Sequence, residues 1–478
     1  MLEKSAAEFA YKLGMIDSEA LFKLLFSNVE LTRAFESEFK KSAGKGIDRI
    51  NGFQFSSRAD IEFSVASVKC VEGCYRFAPY LESLKIKGRN KAPRLICIPT
   101  IRDRVIFHQL NRYLAAVFPS SVPRSVASTY VRNIAADLIA KTSDDLWVCG
   151  TDIQTFYDDI QPAKLLKLLE EKVCWQALRL IHRSLSTPTV PKNSKRSSRG
   201  SFGREKGVPQ GLAISNILAA IYLHKVDESM RSLGVTYYRY VDDVLMYGSN
   251  EAVEKAARSL RARLAHKGLK LHPFGKGKSY LQPASDRFGY LGYEFQLPRI
   301  TVRTATVEKL LQSLASMFSA YTHNKARRLE KHKYLTEDRL AEIFLLELNE
   351  RITGAISDKK RYGWVAYFNQ ITDLSLLHHV DSAVSKLFSR MPDFDKKPPA
   401  GLKRLARAYF EMKFQPDGGY VRNYDEIETR AEKLEFLIER GRIGPGEALT
   451  DEQINDRYEK YRHKVLSEMH SDEGVMYG

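Results

Sequence analysis

Cysteine is scarce, with five residues in 478: Cys70, Cys74, Cys97, Cys149 and Cys174. None falls in a paired CxxC pattern and no histidine ladder accompanies them. That excludes a zinc-ribbon reading and leaves reduced thiols in a cytosolic protein as the expectation. No stretch is long and apolar enough to cross a bilayer. Met1-Leu2-Glu3-Lys4 lacks the charged-then-apolar pattern of a secretory leader, so a cytoplasmic protein with no membrane partner is expected. No internal repeat recurs, and low complexity is confined to one basic loop. Acidic residues are also in deficit: 58 Asp and Glu against 75 Lys and Arg leave a net charge of +17 and an isoelectric point near 9.4. An excess of that size points to a polyanionic partner, nucleic acid before membrane. A chain of 478 residues also exceeds one compact core and is expected to hold two or three subdomains.

What is present centres on Tyr237-Tyr-Arg-Tyr-Val-Asp-Asp-Val-Leu-Met-Tyr-Gly248. The aromatic, β-branched and aliphatic runs read as two strands, and Asp242-Asp243 falls where a tight turn joins them. Aspartate is depleted in strands but accepted in turns. Two carboxylates at one hairpin tip repel each other, and a hard divalent cation offsets that repulsion, typically through a few carboxylates plus substrate phosphates. A third carboxylate must come from elsewhere. In Leu146-Trp-Val-Cys-Gly-Thr-Asp-Ile-Gln-Thr-Phe-Tyr-Asp-Asp-Ile160 a strand breaks into a helix and Asp152 closes the apolar run, where it can face a cleft. The competing use of Asp152 is a helix cap. Tyr157, five residues on, can floor a sugar pocket.

The flanking segments are basic or glycine-rich. Lys85, Lys87, Arg89, Lys91 and Arg94 form a basic hairpin that leads into a strand, Leu95–Pro99, and a helix through Val105, Ile106 and Leu110. It can grip a template backbone or a triphosphate. Residues 191–206 form a Ser/Gly-rich basic loop in which Lys195, Arg196, Arg199 and Arg204 are candidates for phosphate contact. Gly207-Val-Pro-Gln-Gly-Leu-Ala-Ile-Ser-Asn216 then opens a long apolar helix. Such a turn presents free N–H groups and a positive dipole end, with Gln210 and Ser215 adding hydrogen bonds. Lys276 and Lys278 follow in a Gly/Lys segment. From about residue 303 the pattern is helical to the end, with a basic stretch carrying Lys325, Arg327 and Arg328. Pro398-Pro399 suggests a linker.

The order of these pieces, with Asp-Ile-x-x-Phe-Tyr, Val-Pro-Gln-Gly and Tyr-Val-Asp-Asp in sequence over roughly residues 40–300, resembles a reverse transcriptase. The resemblance implies an α+β right-hand polymerase. Its parts would be N-terminal helices and fingers (1–145), a palm of small antiparallel sheet backed by helices (146–300), an α-helical thumb (301–390) and a helical C-terminal extension (391–478) that binds RNA. By motif, Asp152 and Asp242 would hold two Mg²⁺ ions (Mn²⁺ as the substitute), Asp243 would complete the acidic set, and the Ile153 carbonyl would be a further ligand. Tyr157 would exclude a ribose 2′-hydroxyl, Gln210 would line the nascent pair, and Lys85 and Arg94 would meet triphosphate or template. Phe274-Gly275 interrupts the lysine motif, so Lys276 and Lys278 both stay open for the pyrophosphate side. The implied partners are an RNA template, dNTPs and the cDNA product. Neither a Cys/His-rich endonuclease, nor an RNase H-like acidic set, nor an integrase is present. Ile352-Thr-Gly354, Arg361-Tyr-Gly-Trp364 and Tyr367-Phe368 resemble the thumb of stand-alone, antiphage-defence bacterial enzymes of the "unknown group". The first choice among them is the class 2 type, which copies a structured noncoding RNA. Alternatives are a group II intron maturase, a retron-type enzyme and a catalytically silent RNA scaffold. An RNA-dependent RNA polymerase would want a small residue where Tyr157 stands.

Overall fold

The computed structural model describes residues 6–85, 92–122, 125–141, 145–195, 205–275, 277–444 and 446–472. The chain divides into two compact units, residues 1–124 with 145–283, and residues 125–144 with 284–477.

The first unit opens on short helices α1 (Ala6–Lys12), α2 (Ser18–Leu25), α3 (Asn28–Ala34), α4 (Gly52–Ser56) and α5 (Ala59–Val71). The Asp17 carboxylate caps α2 by accepting the Ala20 N–H at 2.7 Å, as the Asp-Ser pair in the sequence leads one to expect. Strands β1 (Tyr80–Lys85) and β2 (Arg94–Ile98) form an antiparallel pair, and α6 (Ile101–Val117) follows. After α7 (Ala127–Ala140), which belongs to the second unit, come β3 (Trp147–Asp152), α8 (Phe156–Asp159), α9 (Pro162–Glu170), α10 (Trp175–Ser186) and β4 (Thr189–Val190). Next are α11 (Ser215–Arg231), β5 (Thr236–Tyr240), β6 (Asp243–Gly248), α12 (Asn250–His266) and β7 (Tyr280–Pro283).

Two sheets result. One has the order β2-β1-β4. The other is a four-stranded antiparallel sheet in the order β5-β6-β3-β7. In β6, Val244, Leu245, Met246 and Tyr247 are all essentially without exposure, so both faces of the strand are covered. This is why it reads as a continuous apolar run rather than an alternating one. α11 and α12 pack behind this sheet, and Leu218, Tyr222, Val253, Leu260 and Leu264 join its core.

The second unit contains an antiparallel meander, β8 (Phe288–Tyr290), β9 (Tyr293–Gln296) and β10 (Arg299–Val302), and the long helices α13 (Thr304–Lys331) and α14 (Glu337–Thr353). The expectation of uninterrupted helix from residue 303 needs correction. β11 (Ala355–Ser357), β12 (Lys360–Tyr362) and β13 (Arg422–Asn423) form a small sheet in the order β12-β11-β13, among α15 (Trp364–Tyr367), α16 (Leu374–Leu387), α17 (Leu405–Phe414), α18 (Arg430–Glu439) and α19 (Asp451–Asp472). The β11–β12 hairpin turns on Asp358 (φ 52°) and Lys359 (φ 58°), a left-handed pair that would normally be Asn-Gly. The Asp425 carboxylate accepts both of their N–H groups, at 2.6 and 2.8 Å, which compensates the strained backbone from a distant point in the chain. No local pattern could announce that turn. Deeper in this unit, Glu350 and Arg440 are buried at 4% and 1% exposure, with Arg440 Nη2 3.3 Å from Glu350 Oε2 and the Tyr424 hydroxyl donating to Glu350 Oε1.

Candidate active site

The site is set by register. Along the antiparallel β3–β6 ladder Trp147 pairs with Gly248, Cys149 with Met246, and Asp152 directly with Asp243. Residues opposite each other point to the same face of a sheet with Cβ atoms about 4.5–5.5 Å apart. Asp152 and Asp243 are therefore neighbours although 90 residues separate them in the chain. The β5–β6 hairpin closes on the pair Tyr240–Asp243, leaving Val241 and Asp242 as its two-residue loop. The Ile153 N–H donates to the Asp242 carbonyl at 3.1 Å, tying the loop to the end of β3. Asp152 thus ends a strand and is no helix cap. Val241 sits at φ 57°, in the left-handed region that a β-branched residue rarely enters.

Charge follows from this geometry. Burial, then the charges of Asp152 and Asp243, push the Asp242 carboxyl up to about 7, while the Arg94 guanidinium pulls the other way. Lys278 donates to Asp152 Oδ2, and His272 Nε2 lies 3.6 Å from the same oxygen. Among the described residues no three His, Cys, Asp or Glu side chains close into a metal cage. The arrangement fits an open Mg²⁺ site: acidic groups short of positive charge, leaning on a lysine and a histidine, with coordination left for substrate phosphates.

The other predicted residues gather around it. Lys85 and Arg94 face each other across β1 and β2. Tyr157 is buried, its hydroxyl donates to Asn216 Oδ1, and its phenol pKa is raised by burial and then by the charge of Asp242. Val208 N–H donates to the Tyr157 carbonyl at 2.7 Å and Cys97 N–H to the Gln210 carbonyl at 2.7 Å, so the glycine turn is stitched to α8 and β2. Gln210 is itself buried, and its Nε2 donates to Asp158 Oδ1 at 3.3 Å. The turn needs its glycines. A Cβ on Gly211 (φ 95°) would sit 2.7 Å from Ile96 Cγ2, and one on Gly207 (φ 85°) 2.9 Å from the Asp158 backbone.

Residues 85–295 match the family described as reverse transcriptase (RNA-dependent DNA polymerase). This stretch is similar to a reverse transcriptase domain. Over 292 residues the chain is 20% identical to Protein YkfC of Escherichia coli (strain K12), spanning 52% of this chain and 74% of that one. Over 182 residues it is 28% identical to an uncharacterized 91 kDa protein in cob intron of Schizosaccharomyces pombe (36% of this chain, 21% of that one). Among solved structures, apo telomerase from Candida tropicalis truncated from the C-terminal domain aligns at 17% identity and TM-score 0.36, over 47% of this chain and 56% of that one. Telomerase from Candida albicans with a fragment of telomeric RNA aligns at 13% identity and TM-score 0.39, over 66% of this chain and 65% of that one. The chain thus spans about a fifth of the fission-yeast protein and just over half of the Candida tropicalis telomerase.

Within residues 85–295, Lys276, Arg196, Arg199 and Arg204 lie outside the described residues, as do Lys87, Arg89 and Lys91, and Lys195 is exposed at the edge of those described. Lys278 contacts Asp152, a fact that bears on the choice left open in the lysine motif. Lys325, Arg327 and Arg328 lie on α13 of the other unit. Lys325 is engaged by Glu337 at 2.7 Å and Asp393 at 2.8 Å, which neutralise it, while Arg327 stays exposed. Sequence reasoning missed Asn216, His272, Asp227 and Arg239 as members of the site. Asp227 left a signal, being an acid at i+4 from Leu223 and i+7 from Ala220 on the buried face of α11.

Proposed function

We propose that this chain is an RNA-directed DNA polymerase that copies an RNA template into cDNA from dNTPs. One observation carries the reading: the β3–β6 register that brings Asp152 against Asp243 with Asp242 in the adjoining turn. In this reading Asp152, Asp242 and the Ile153 carbonyl would hold two Mg²⁺ ions and Asp243 would complete the set. When bound, the ions lower the pKa of the primer 3′-hydroxyl and offset charge on the leaving pyrophosphate. The chain's own groups do the rest. Lys85 and Arg94 bind triphosphate or template. Tyr157, immobilised through Asn216, presents a ring where a ribose 2′-hydroxyl would have to fit. Gln210, oriented by Asp158, lines the nascent base pair, and Lys278 stands ready to leave Asp152 for the pyrophosphate. Residues 1–145 act as fingers, 146–300 as palm, 301–390 as thumb and 391–478 as an RNA-binding extension.

The template we assign is a cognate structured noncoding RNA, and the role is antiphage defence in the cytoplasm. The thumb-like motifs Ile352–Gly354, Arg361–Trp364 and Tyr367–Phe368 support that assignment, and no helix among the described residues is long and apolar enough to cross a membrane. A second reading, an intron-type enzyme, is favoured by the 28% identity to a protein named for the cob intron. The test is primer extension on an RNA template with Mg²⁺. Asp242→Asn is expected to abolish incorporation and retain RNA binding, and incorporation that survives would remove the metal assignment. Sequencing the RNA and cDNA that co-purify with the chain separates the noncoding-RNA role from the intron role.

A further inference from the structure

The loop that carries Asp242 is held by a device the catalytic reading does not use. Arg239, two residues before Val241, is one-tenth exposed and forks in three directions. Its Nε donates to Asp227 Oδ1 at 2.7 Å, its Nη2 donates to Asp227 Oδ2, and its Nη1 donates to the Val241 carbonyl at 2.8 Å. Asp227 projects from the buried face of α11 and accepts the Tyr237 hydroxyl at 2.9 Å. A bidentate, charge-assisted pair between helix and strand is rigid as well as strong. Its third donor reaches the peptide that needs support, because valine at φ 57° survives only where the surroundings over-determine it. On the far side of the loop the next carbonyl, that of Asp242, is fixed by Ile153 N–H at 3.1 Å. Two successive carbonyls are thus pinned from opposite sides, one by the Arg239 side chain and one by the β3 backbone.

We infer that Arg239, anchored by Asp227, is a positioning residue that holds the Val241 peptide left-handed and so sets the divalent-cation affinity of the Asp152–Asp242–Asp243 cluster. Its guanidinium bonds Asp227 and the Val241 carbonyl, so it acts on the carboxylates through that peptide. Lysine in its place keeps the charge and loses the fork, because one ammonium cannot serve both Asp227 oxygens and the carbonyl together. The inference rests on the polymerase reading for its biological meaning, and its test does not.

The experiment is Mn²⁺ binding to the free, full-length protein, followed by electron paramagnetic resonance, with melting temperature recorded alongside. Arg239→Lys is expected to weaken Mn²⁺ binding roughly ten-fold, the worth of one charge-assisted hydrogen bond. Tyr237→Phe removes the other bond to Asp227 while leaving the Val241 carbonyl held, and is expected to bind Mn²⁺ as the unaltered chain does. Equal affinity in Arg239→Lys and the unaltered chain overturns the inference. So does an equal loss in Tyr237→Phe, which would mark the network as general fold support. If Arg239→Lys melts too low to assay, the substitution is made together with Val241→Gly, since glycine adopts positive φ without support. The double variant should then match Val241→Gly alone, and a further loss overturns the inference. A chain that binds Mn²⁺ as expected yet extends no primer on RNA would sink the polymerase reading and leave this one standing.

Discussion

Asp242 offers a measurement that needs no substrate. Its carboxyl is raised from 3.8 to about 7 by burial and by two neighbouring carboxylates. The unfolded chain releases this proton near its ordinary value and the folded chain holds it to about 7. The folded state therefore binds more protons across that window, and its stability falls as pH rises through it. The contribution is intact below about pH 4 and lost above about pH 7. A rise of this size corresponds to at most about 4 kcal/mol at pH 8. Partial solvent access at the loop and repulsion shared among three acids reduce the expected effect to about 2 kcal/mol. Asp242→Asn removes the charge at nearly constant shape. In metal-free protein at pH 8 it should raise the melting midpoint by about 4–8 °C, and the gain should shrink to less than half at pH 5. Millimolar Mg²⁺ should reverse the ranking, because binding to the folded state stabilises only a chain that retains the ligand. Differential scanning calorimetry at the two pH values, with EDTA and with Mg²⁺, reads all three. Equal midpoints at pH 8 in EDTA, or a gain independent of pH, would show that the acids do not repel one another and refute the cluster.

Four further outcomes follow from the same structure. Tyr157→Ala opens the space beside the carboxylates and should raise ribonucleotide use relative to deoxynucleotide use in single-turnover incorporation; an unchanged ratio would end its role as a gate. Gly211→Ala forces a Cβ to within 2.7 Å of Ile96 Cγ2 at φ 95°; it should lower the unfolding free energy measured in urea by about 1–3 kcal/mol and cut incorporation by displacing Gln210. Arg440→Met leaves Glu350 buried and uncompensated and should cost about 3–5 kcal/mol in urea. Among the described residues Arg440 Nε and Nη1 find no hydrogen-bond partner, so the paired change Arg440→Met with Glu350→Leu should recover most of that loss. RNA affinity, measured by filter binding, should fall about ten-fold or more between 50 and 200 mM salt, and a flat response would exclude backbone phosphates as the main contact.

How far the sequence could be read depended on how local the physics was. β3 and β6 are mostly apolar runs with an acid at one end, β5 is an aromatic one, and the Asp242 turn lay between β5 and β6 in plain view. The α2 cap at Asp17 and the break of α12 before Gly268 (φ 81°) were equally local. Asp152 was found only because its chemistry was missing from the hairpin; the register that pairs it with Asp243 has no sequence signature. The β11–β12 turn escaped because Asp425 supplies its support from 66 residues away. Arg239 escaped because an arginine in a strand reads as exposed until the buried acid facing it is known. Lys325 shows the same limit: its basic neighbourhood suggests a phosphate contact, while its ion-pair partners Glu337 and Asp393 come from other turns of the chain.

The polypeptide passes between its two units three times, near residues 124, 144 and 283. Helix α7, with Val131, Ile134 and Leu138 buried, is encoded inside one unit and counted in the other. Neither unit is therefore a cassette that recombination could lift out at a single junction. A gene cut after Pro283 would yield the half with Asp152, Asp242 and Asp243 carrying one orphaned greasy helix, α7, with its buried Val131, Ile134 and Leu138.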